Sequence, residues 1–260
     1  YQRGLNSLYL MNKESLNEAA DLFFKSIEID NNFGQAYSYL AFTISHFVFL
    51  GFSKKPEDDI KNAKFYVEKA LDCDNRDSLA HEMLARIYSL SKNHDQAIEA
   101  AKKAIECNVN SSSAYMFYAS ALTFANRCEE ALEPIDQAIK LSPRDPRTFN
   151  FLMNKAMIVG EMGDLKLSVD LARKAVAIPQ GDFRPALILA IYCAKSGLLD
   201  EAQKAIERVL EIIPNFTLTK LKENFFYHYN PRWLRLHQEK ILYYQNQHFC
   251  VLCHNAQQSL

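Results

Sequence analysis

The residues with the clearest chemical potential lie near the end of the chain, where residues 248–254 read HFCVLCH. A Cys-x-x-Cys-His run is the sequence used for covalent haem attachment, and two cysteines flanked by histidines could instead bind zinc. Haem attachment requires export to an oxidising compartment, and no export signal opens this chain. A zinc site usually has two pairs of closely spaced cysteine or histidine ligands, and this stretch has only one half of that spacing. We therefore predict no metal and no cofactor at Cys250, Cys253 and His254.

No other catalytic motif occurs in the sequence. The 260 residues contain no Gly-rich phosphate loop, no G-x-S-x-G elbow, no H-E-x-x-H zinc helix and no acidic calcium loop. His46, His81 and His94 fall in separate segments, and no set of catalytic partners is recognisable for them. We predict that this chain is not an enzyme.

The composition indicates a soluble, helical chain with no long-range electrostatic field. Lysines and arginines number 30 against 31 aspartates and glutamates, so nothing recruits nucleic acid or an anionic membrane surface. Only seven glycines occur, which argues against a sheet-rich fold. The longest apolar stretch, residues 47–52, is far shorter than the roughly 20 residues that span a bilayer. Cysteines spread without a dense framework are typical of free thiols in a reducing compartment, so we expect a cytoplasmic protein.

A small residue recurs along the chain in similar sequence contexts. The positions are Ala19, Ala63, Ala97, Ala131, Ser168 and Ala202, at intervals of 44, 34, 34, 37 and 34. A second small residue precedes each of the last five, by 22 residues in the first case and by 12 in the others: Ala41, Ala85, Ala119, Ala156 and Ala190. This is a repeat of 34 residues with two insertions. We predict six helical hairpins over residues 1–215, the second with a ten-residue insertion, and capping helices with a tail over residues 216–260.

The small residues have a packing role in this interpretation. Two helix axes approach to about 8–10 Å only where no large side chain stands between them. No single hairpin could bury its apolar face alone, so the hairpins must stack on one another.

Residues 78–108 and 113–143 carry the in-phase pattern of small, aliphatic and aromatic residues that defines the tetratricopeptide repeat. The chain resembles this family over roughly residues 2–215. The resemblance implies an all-α fold in which tandem helical hairpins stack into a right-handed superhelix. It also implies a non-catalytic module that binds proteins or peptides in a concave groove.

A narrower resemblance concerns the context of the repeats. The opening segment, the insertion, LSPRDPRTFNFL at residues 141–152 and the tail from residue 211 are similar to repeat regions of bacterial signalling proteins. In those proteins the repeats follow an adenylate cyclase domain or a winged-helix DNA-binding domain. Tyr1 is not a start methionine, so we expect a domain upstream of it. The alternative interpretation is therefore the regulatory repeat region of an adenylate cyclase or of a transcriptional regulator.

The resemblance also implies which side chains form the concave wall, because the first helix of each hairpin faces the groove. Leu79, Ser113, Asn150 and Arg184 fall on this wall. The wall residues that we predict to bind a partner are Gln35, Ser38, Phe42, Glu82, Arg86, Met116, Ser120, Phe124, Met153, Met157, Leu187 and Ile191.

The wall residues indicate the kind of partner. Chaperone-binding members of the family hold a terminal carboxylate with an asparagine at one wall position. The residues at that position here are Phe42, Arg86, Ser120, Met157 and Ile191, so we do not expect that mode. Methionine and phenylalanine side chains suit an apolar or amphipathic segment instead.

Two alternatives for the apolar part of the wall stay open. Met153, Met157, Leu187 and Ile191 have the helical spacing of core residues, and the C-terminal segment could cover them. The chain could also self-associate through its groove or its apolar end face.

Overall fold

The computed structural model describes residues 1–8, 10, 12–143, 145, 148–178, 183–214 and 216, and over that part of the chain it is built from α-helices without strands. The twelve helices of this described part are α1 (Gln2–Leu8), α2 (Lys13–Ile29), α3 (Gly34–Phe49), α4 (Pro56–Cys73), α5 (Ser78–Leu90), α6 (His94–Cys107), α7 (Ser112–Phe124), α8 (Cys128–Leu141), α9 (Thr148–Glu161), α10 (Leu165–Ala177), α11 (Arg184–Lys195) and α12 (Leu199–Ile212). The predicted all-α fold is confirmed. The predicted capping segment, residues 216–260, lies outside the described residues except for Phe216.

The helices form two layers. Each odd-numbered helix packs against the even-numbered helix that follows it, which makes six antiparallel hairpins. From α3 onward, each odd-numbered helix also contacts the next odd-numbered one, so these helices lie side by side in one layer. The two layers differ in their surroundings, because the odd-numbered helices are the more buried ones.

Small side chains stand where the helices of a hairpin cross. The eleven small residues that mark the repeat are all 0–3% exposed: Ala19, Ala41, Ala63, Ala85, Ala97, Ala119, Ala131, Ala156, Ser168, Ala190 and Ala202. Ser168 is the one hydroxyl among them, and its Oγ donates a hydrogen bond of 2.7 Å to the Ala156 carbonyl of the facing helix. The hydroxyl is thus satisfied within the crossing, as a buried polar group must be.

The turns inside the last four hairpins each contain a residue in the left-handed backbone conformation. Lys92, Asn126, Gly163 and Gly197 follow α5, α7, α9 and α11, and all four have φ between 60° and 99°. A left-handed residue ends a helix by letting the next backbone N–H groups bond to its last carbonyls. Glycine accepts this conformation without the steric cost that a side chain adds.

The predicted insertion is distributed over the whole second hairpin. Helix α3 has 16 residues where α5 has 13, and α4 has 18 where α6 has 14. The turn between α3 and α4 has three residues more than the turn after α5. These differences account for the ten additional residues. The insertion therefore lengthens both helices, and α3 gains almost one turn at its C-terminal end.

Gly160 shows how tightly the layers pack at the end of the stack. A Cβ atom at Gly160 would lie 2.2 Å from Cε1 of Tyr192 and 2.8 Å from Oγ of Ser168. The Tyr192 ring is fully buried, and its hydroxyl donates to the Met157 carbonyl at 3.2 Å. Gly160 in α9 therefore makes room for a ring from α11.

We predict that Gly160→Ala lowers the free energy of unfolding by about 1–3 kcal/mol, because the added methyl group overpacks this contact. In an unobstructed helix the same substitution would raise stability by about 0.5–1 kcal/mol. Urea denaturation of the full chain measures the difference, with Lys166→Ala on the exposed face of α10 as the control. A Gly160→Ala variant as stable as the parent chain would contradict the packing described for Tyr192.

Candidate functional site

The odd-numbered helices enclose a concave groove with a cavity volume of about 460 Å³. Every helical residue that lines it belongs to α1, α3, α5, α7, α9 or α11. Its main lining residues are Leu5, Leu8, Tyr39, Phe42, His46, Phe49, Leu79, Glu82, Arg86, Met116, Phe117, Ser120, Phe124, Asn150, Met153, Asn154 and Arg184. We refer to this set as the concave groove.

Seven of the twelve predicted partner-binding residues line the concave groove. They are Phe42, Glu82, Arg86, Met116, Ser120, Phe124 and Met153. The other five, Gln35, Ser38, Met157, Leu187 and Ile191, are not among its lining residues.

The five residues away from the groove differ in their surroundings. Gln35 is exposed near the chain start, and its Oε1 accepts a hydrogen bond from the Tyr1 hydroxyl at 3.3 Å. Ser38, Met157, Leu187 and Ile191 are 0–2% exposed. Met153 lines the groove but is itself 2% exposed. The predicted residues that line the groove and are also partly accessible are Phe42, Met116, Ser120 and Phe124.

Two polar wall residues hold the start of the next odd-numbered helix. Ser38 in α3 donates to Oδ2 of Asp77, and Asp77 accepts the backbone N–H of Leu79 at 2.9 Å as the N-cap of α5. Glu82, at the equivalent position of α5, accepts the Ser111 hydroxyl at 2.7 Å, and Ser111 is the N-cap of α7. Both contacts fix the register of adjacent hairpins, since an N-cap has one favourable geometry.

A second polar ladder joins α7, α9 and α11. Ser120 donates to Oδ1 of Asn154 at 2.8 Å, and the Asn154 amide donates to the Asn150 carbonyl at 2.8 Å. The Asn150 side-chain oxygen accepts Nη2 of Arg184 at 3.1 Å. The groove surface is thus held by side-chain hydrogen bonds between hairpins as well as by the core.

Arg86 is a buried cation within an aromatic cluster. Its guanidinium carbon lies 4.8 Å from the ring centre of Phe117, 5.1 Å from that of Phe42 and 5.5 Å from that of Phe49. The side chain is only 9% exposed. Cation–π contacts stabilise a desolvated guanidinium by about 2 kcal/mol or more. They offset part of the cost of removing the charge from water.

His46 is the hydrogen-bond partner of Arg86. Nη1 of Arg86 lies 2.9 Å from Nδ1 of His46, and the imidazole ring stacks on Phe42 with centroids 5.4 Å apart. Arginine is always a donor, so Nδ1 accepts and the neutral ring carries its proton on Nε2. Nε2 is buried, and no acceptor among the described residues lies within hydrogen-bonding distance of it. A buried donor without an acceptor costs about 1–3 kcal/mol.

The electrostatics of the cluster keep His46 neutral. Burial, followed by the positive charges of Arg86 and Arg184, holds the pKa of His46 well below its usual value. Burial and the neighbouring Arg184 lower the pKa of Arg86 to about 9, while Glu82 acts in the opposite direction. Arg86 therefore remains charged at neutral pH. The groove has a fixed cation beside a neutral imidazole whose N–H has no acceptor among the described residues.

Sequence reasoning did not identify His46 and Phe49 as wall residues. Phe42, His46 and Phe49 are spaced by four and three residues, so they lie on one face of α3. This spacing could have predicted that the three side chains share one face. For Phe49 the prediction also requires that α3 extends into the insertion, as it does here. Phe49 contacts both arginines, with its ring centre 5.1 Å from the guanidinium carbon of Arg184.

The Cys-Val-Leu-Cys-His stretch at residues 250–254 lies outside the described residues. The prediction about haem or zinc at that stretch therefore stays a prediction. In the described part of the chain, no helix combines the length and the apolar character that a membrane crossing requires.

Comparison with known proteins gives a partial family match and a clear fold match. The family model for anaphase-promoting complex, cyclosome, subunit 3 matches residues 57–138, just under a third of the chain. No curated protein matches the sequence.

Three solved structures illustrate the fold match. PilW, a widely conserved type IV pilus biogenesis factor, is 20% identical, with a TM-score of 0.58 over 78% of this chain and 91% of that chain. TTC0263, a thermophilic TPR protein of Thermus thermophilus, is 20% identical, with a TM-score of 0.56 over 68% and 94%. The APC/C hetero-tetramer Cut9-Hcn1 is 16% identical, with a TM-score of 0.59 over 92% and 55%. Similarity at these identities shows the fold alone.

We predict that acid destabilises the chain through His46. Below about pH 6.5 the unfolded chain takes up a proton on His46 that the folded chain does not, so acidification favours the unfolded state. Below that pH the free energy of unfolding of the parent chain should fall faster than that of the His46→Phe variant, by up to about 1.4 kcal/mol per pH unit. Above it the two curves should run parallel.

Urea denaturation at a series of pH values measures both curves. Subtracting the His46→Phe curve from the parent curve cancels the contribution that the other histidines make to both. Parallel curves down to about pH 5 would mean that His46 protonates as readily in the folded chain as in the unfolded one.

Proposed function

We infer that this chain, a tetratricopeptide-type helical repeat protein, acts as a non-catalytic scaffold that binds an apolar or amphipathic segment of another protein in its concave groove. The observation that carries this proposal is the partly accessible apolar lining of a cavity of about 460 Å³. Phe42, Leu79, Met116 and Phe124 are each half-buried and line it.

The size and chemistry of the groove favour a peptide segment. A volume of this order accommodates a few side chains and is within the usual range for ligand sites. Methionine side chains adapt their shape to irregular apolar partners, and an apolar groove of this kind suits an amphipathic segment. The names of two structural neighbours, a pilus biogenesis factor and a hetero-tetramer, also describe proteins that work in assemblies.

The groove chemistry argues for binding without catalysis. The Ser111 hydroxyl donates to Glu82 and the Ser120 hydroxyl donates to Asn154, so both hydroxyls are engaged in contacts between neighbouring hairpins. His46 accepts from a guanidinium through Nδ1, which leaves that nitrogen unable to take a proton from a nucleophile. These residues hold the wall together.

The proposal also concerns the cellular context in which the repeats act. We propose a cytoplasmic bacterial signalling or regulatory protein, with the narrower sequence resemblance as its support. In the alternative, the repeats regulate an adenylate cyclase or a winged-helix transcriptional regulator. The comparisons described above do not bear on either placement.

We predict that a charge in the groove abolishes segment binding. Peptides selected on the full chain from a random displayed library should bind Met116→Glu at least about tenfold more weakly than the parent chain, since the carboxylate must be desolvated against an apolar ligand. Met162→Glu is the matched control, because Met162 is exposed and does not line the groove. Isothermal titration measures both, after circular dichroism has established that both variants are folded.

Two outcomes would contradict the proposed function. One is a library from which nothing is enriched. The other is equal weakening by Met116→Glu and Met162→Glu. Sedimentation equilibrium of the parent chain, with and without a selected peptide, shows whether a second copy occupies the groove instead. If the parent chain forms a dimer that the peptide cannot dissociate, the groove serves self-association and does not bind a segment of another protein.

A further inference from the structure

We infer that a contact between Phe49 and Arg184 is a latch that holds the concave groove closed, and that a segment docking along the groove breaks it. This inference rests on the proposed function and adds the regulation of the same site. Phe49 ends α3 in the second hairpin, and Arg184 begins α11 in the sixth. Their contact, which we call the Phe49–Arg184 latch, joins two hairpins that are separated by three others.

The latch is a cation–π contact between two side chains of the groove wall. The guanidinium carbon of Arg184 lies 5.1 Å from the ring centre of Phe49 and 6.0 Å from that of Phe149. Nη2 of Arg184 also donates to the side-chain oxygen of Asn150 at 3.1 Å. Phe149 and Asn150 are in α9, so the Arg184 side chain reaches from α11 past α9 to the end of α3. Arg184 is only 4% exposed in this arrangement.

A contact of this range is unusual in a fold of stacked repeats. In such a fold each unit packs on its immediate neighbours, and the curvature follows from a small rotation at each interface. Extensive helix packing in the described part of the chain follows this rule, since it joins helices of the same or neighbouring hairpins. The latch adds a contact between helices near opposite ends of the concave wall. It therefore restricts changes of curvature and, with them, the width of the groove.

The insertion in the second hairpin supplies the latch. Phe49 lies in the part of α3 that exceeds the length of α5. The equivalent residue of the third hairpin is Asn93, which lies beyond the end of α5 as the N-cap of α6. A second hairpin of ordinary length would therefore present no helical side chain at the place where Phe49 meets Arg184. The added turn of α3 has a definite consequence for the groove in this interpretation.

The closed groove contains a repulsion that opening would relieve. The ring centre of Phe49 lies 5.1 Å from the guanidinium carbon of Arg184 and 5.5 Å from that of Arg86, so one ring contacts two cations. Burial and, after it, the charge of Arg184 lower the pKa of Arg86, since the two guanidinium groups repel each other. A cation–π contact that opposes this repulsion is weak enough to break when a ligand binds.

The closed cavity is too small for the backbone of a helical segment. Its volume is about 460 Å³, whereas two turns of a helix about 10 Å across with its side chains occupy roughly 850 Å³. The cavity can therefore hold some side chains of a segment but not the whole of two turns. Entry of the backbone between α3 and α11 requires these helices to move apart, which separates Phe49 from Arg184.

Small-angle X-ray scattering on the full chain tests the latch without a ligand. Phe49→Ala removes the ring, and we expect a larger radius of gyration than that of the parent chain because the stack can uncurl. Arg184→Met keeps the side-chain length, removes the charge and should have the same effect. Phe65→Ala is the matched control and should keep the parent radius, since Phe65 belongs to the same hairpin as Phe49, is 52% exposed and does not line the groove. Circular dichroism establishes that each variant is folded.

Surface plasmon resonance then measures the effect on docking, with peptides selected on the full chain from a random displayed library. Phe49→Ala should bind a selected peptide about 3- to 10-fold more tightly than the parent chain, because binding no longer has to break the latch. The gain should lie in the association rate, since a larger fraction of the molecules is open at encounter. Phe49→Ala combined with Arg184→Met should bind no more tightly than either single variant, as expected for two residues of one contact. Saturating peptide should raise the radius of gyration of the parent chain to that of Phe49→Ala.

Each remaining outcome overturns a distinct statement. Weaker binding by Phe49→Ala with faster dissociation would show that Phe49 contacts the docked segment and is no latch, while segment binding stays intact. An unchanged radius of gyration would refute the closure of the groove, and a larger radius with unchanged affinity would refute its control of docking. A library from which no peptide is enriched would refute the proposed function, and the scattering comparison would still decide whether the two hairpins are held together.

A second variant covers the case in which Phe49→Ala does not fold. Phe49→Leu keeps most of the apolar volume but lacks the aromatic ring that the guanidinium of Arg184 contacts. It should change the radius of gyration and the association rate in the same direction as Phe49→Ala. A Phe49→Leu variant identical to the parent chain in both measurements would refute the latch.

Discussion

The structure depends on the close crossing of two helices over a small side chain in each hairpin. Alanine or serine at these crossings is almost fully buried, and any larger side chain would separate the helix axes. Because the crossing uses one face of each odd-numbered helix, another face remains to form the concave wall. The wall is therefore a consequence of packing at the crossings, and its side chains are free to differ from repeat to repeat without changing the fold.

The insertion in the second hairpin changes the wall at one place. It extends α3 by almost one turn, so Phe49 lies beyond the point where an ordinary first helix would end, and His46 is equivalent to Leu90, the last residue of α5. Phe49 lies near both Arg86 and Arg184, and His46 holds Arg86 through its unprotonated nitrogen. Arg86 has no ion pair among the described residues, and a buried cation without an anionic partner is costly to maintain for stability alone. Its position in the groove is consistent with a role in recognition.

Much of this fold could be predicted from the sequence, because the spacing of small residues reports helix crossings directly. The six hairpins and the location of the insertion follow from Ala41, Ala63 and their equivalents. The site was less predictable. Ser38 and Glu82 lie on the predicted wall but hold the N-caps Asp77 and Ser111 of the following helices. His46 was not predicted, since its importance depends on a contact with a residue 40 positions away in the sequence.

The most direct test of the contact between Arg86 and His46 in the groove is an NMR measurement on the His46 ring in the full chain. Long-range proton–nitrogen correlation distinguishes the two neutral tautomers from the imidazolium. We predict a neutral ring with its proton on Nε2 at neutral pH, because the Arg86 guanidinium donates to Nδ1 and burial lowers the pKa of His46. A proton on Nδ1, or titration near the ordinary histidine pKa, would contradict the account of the groove.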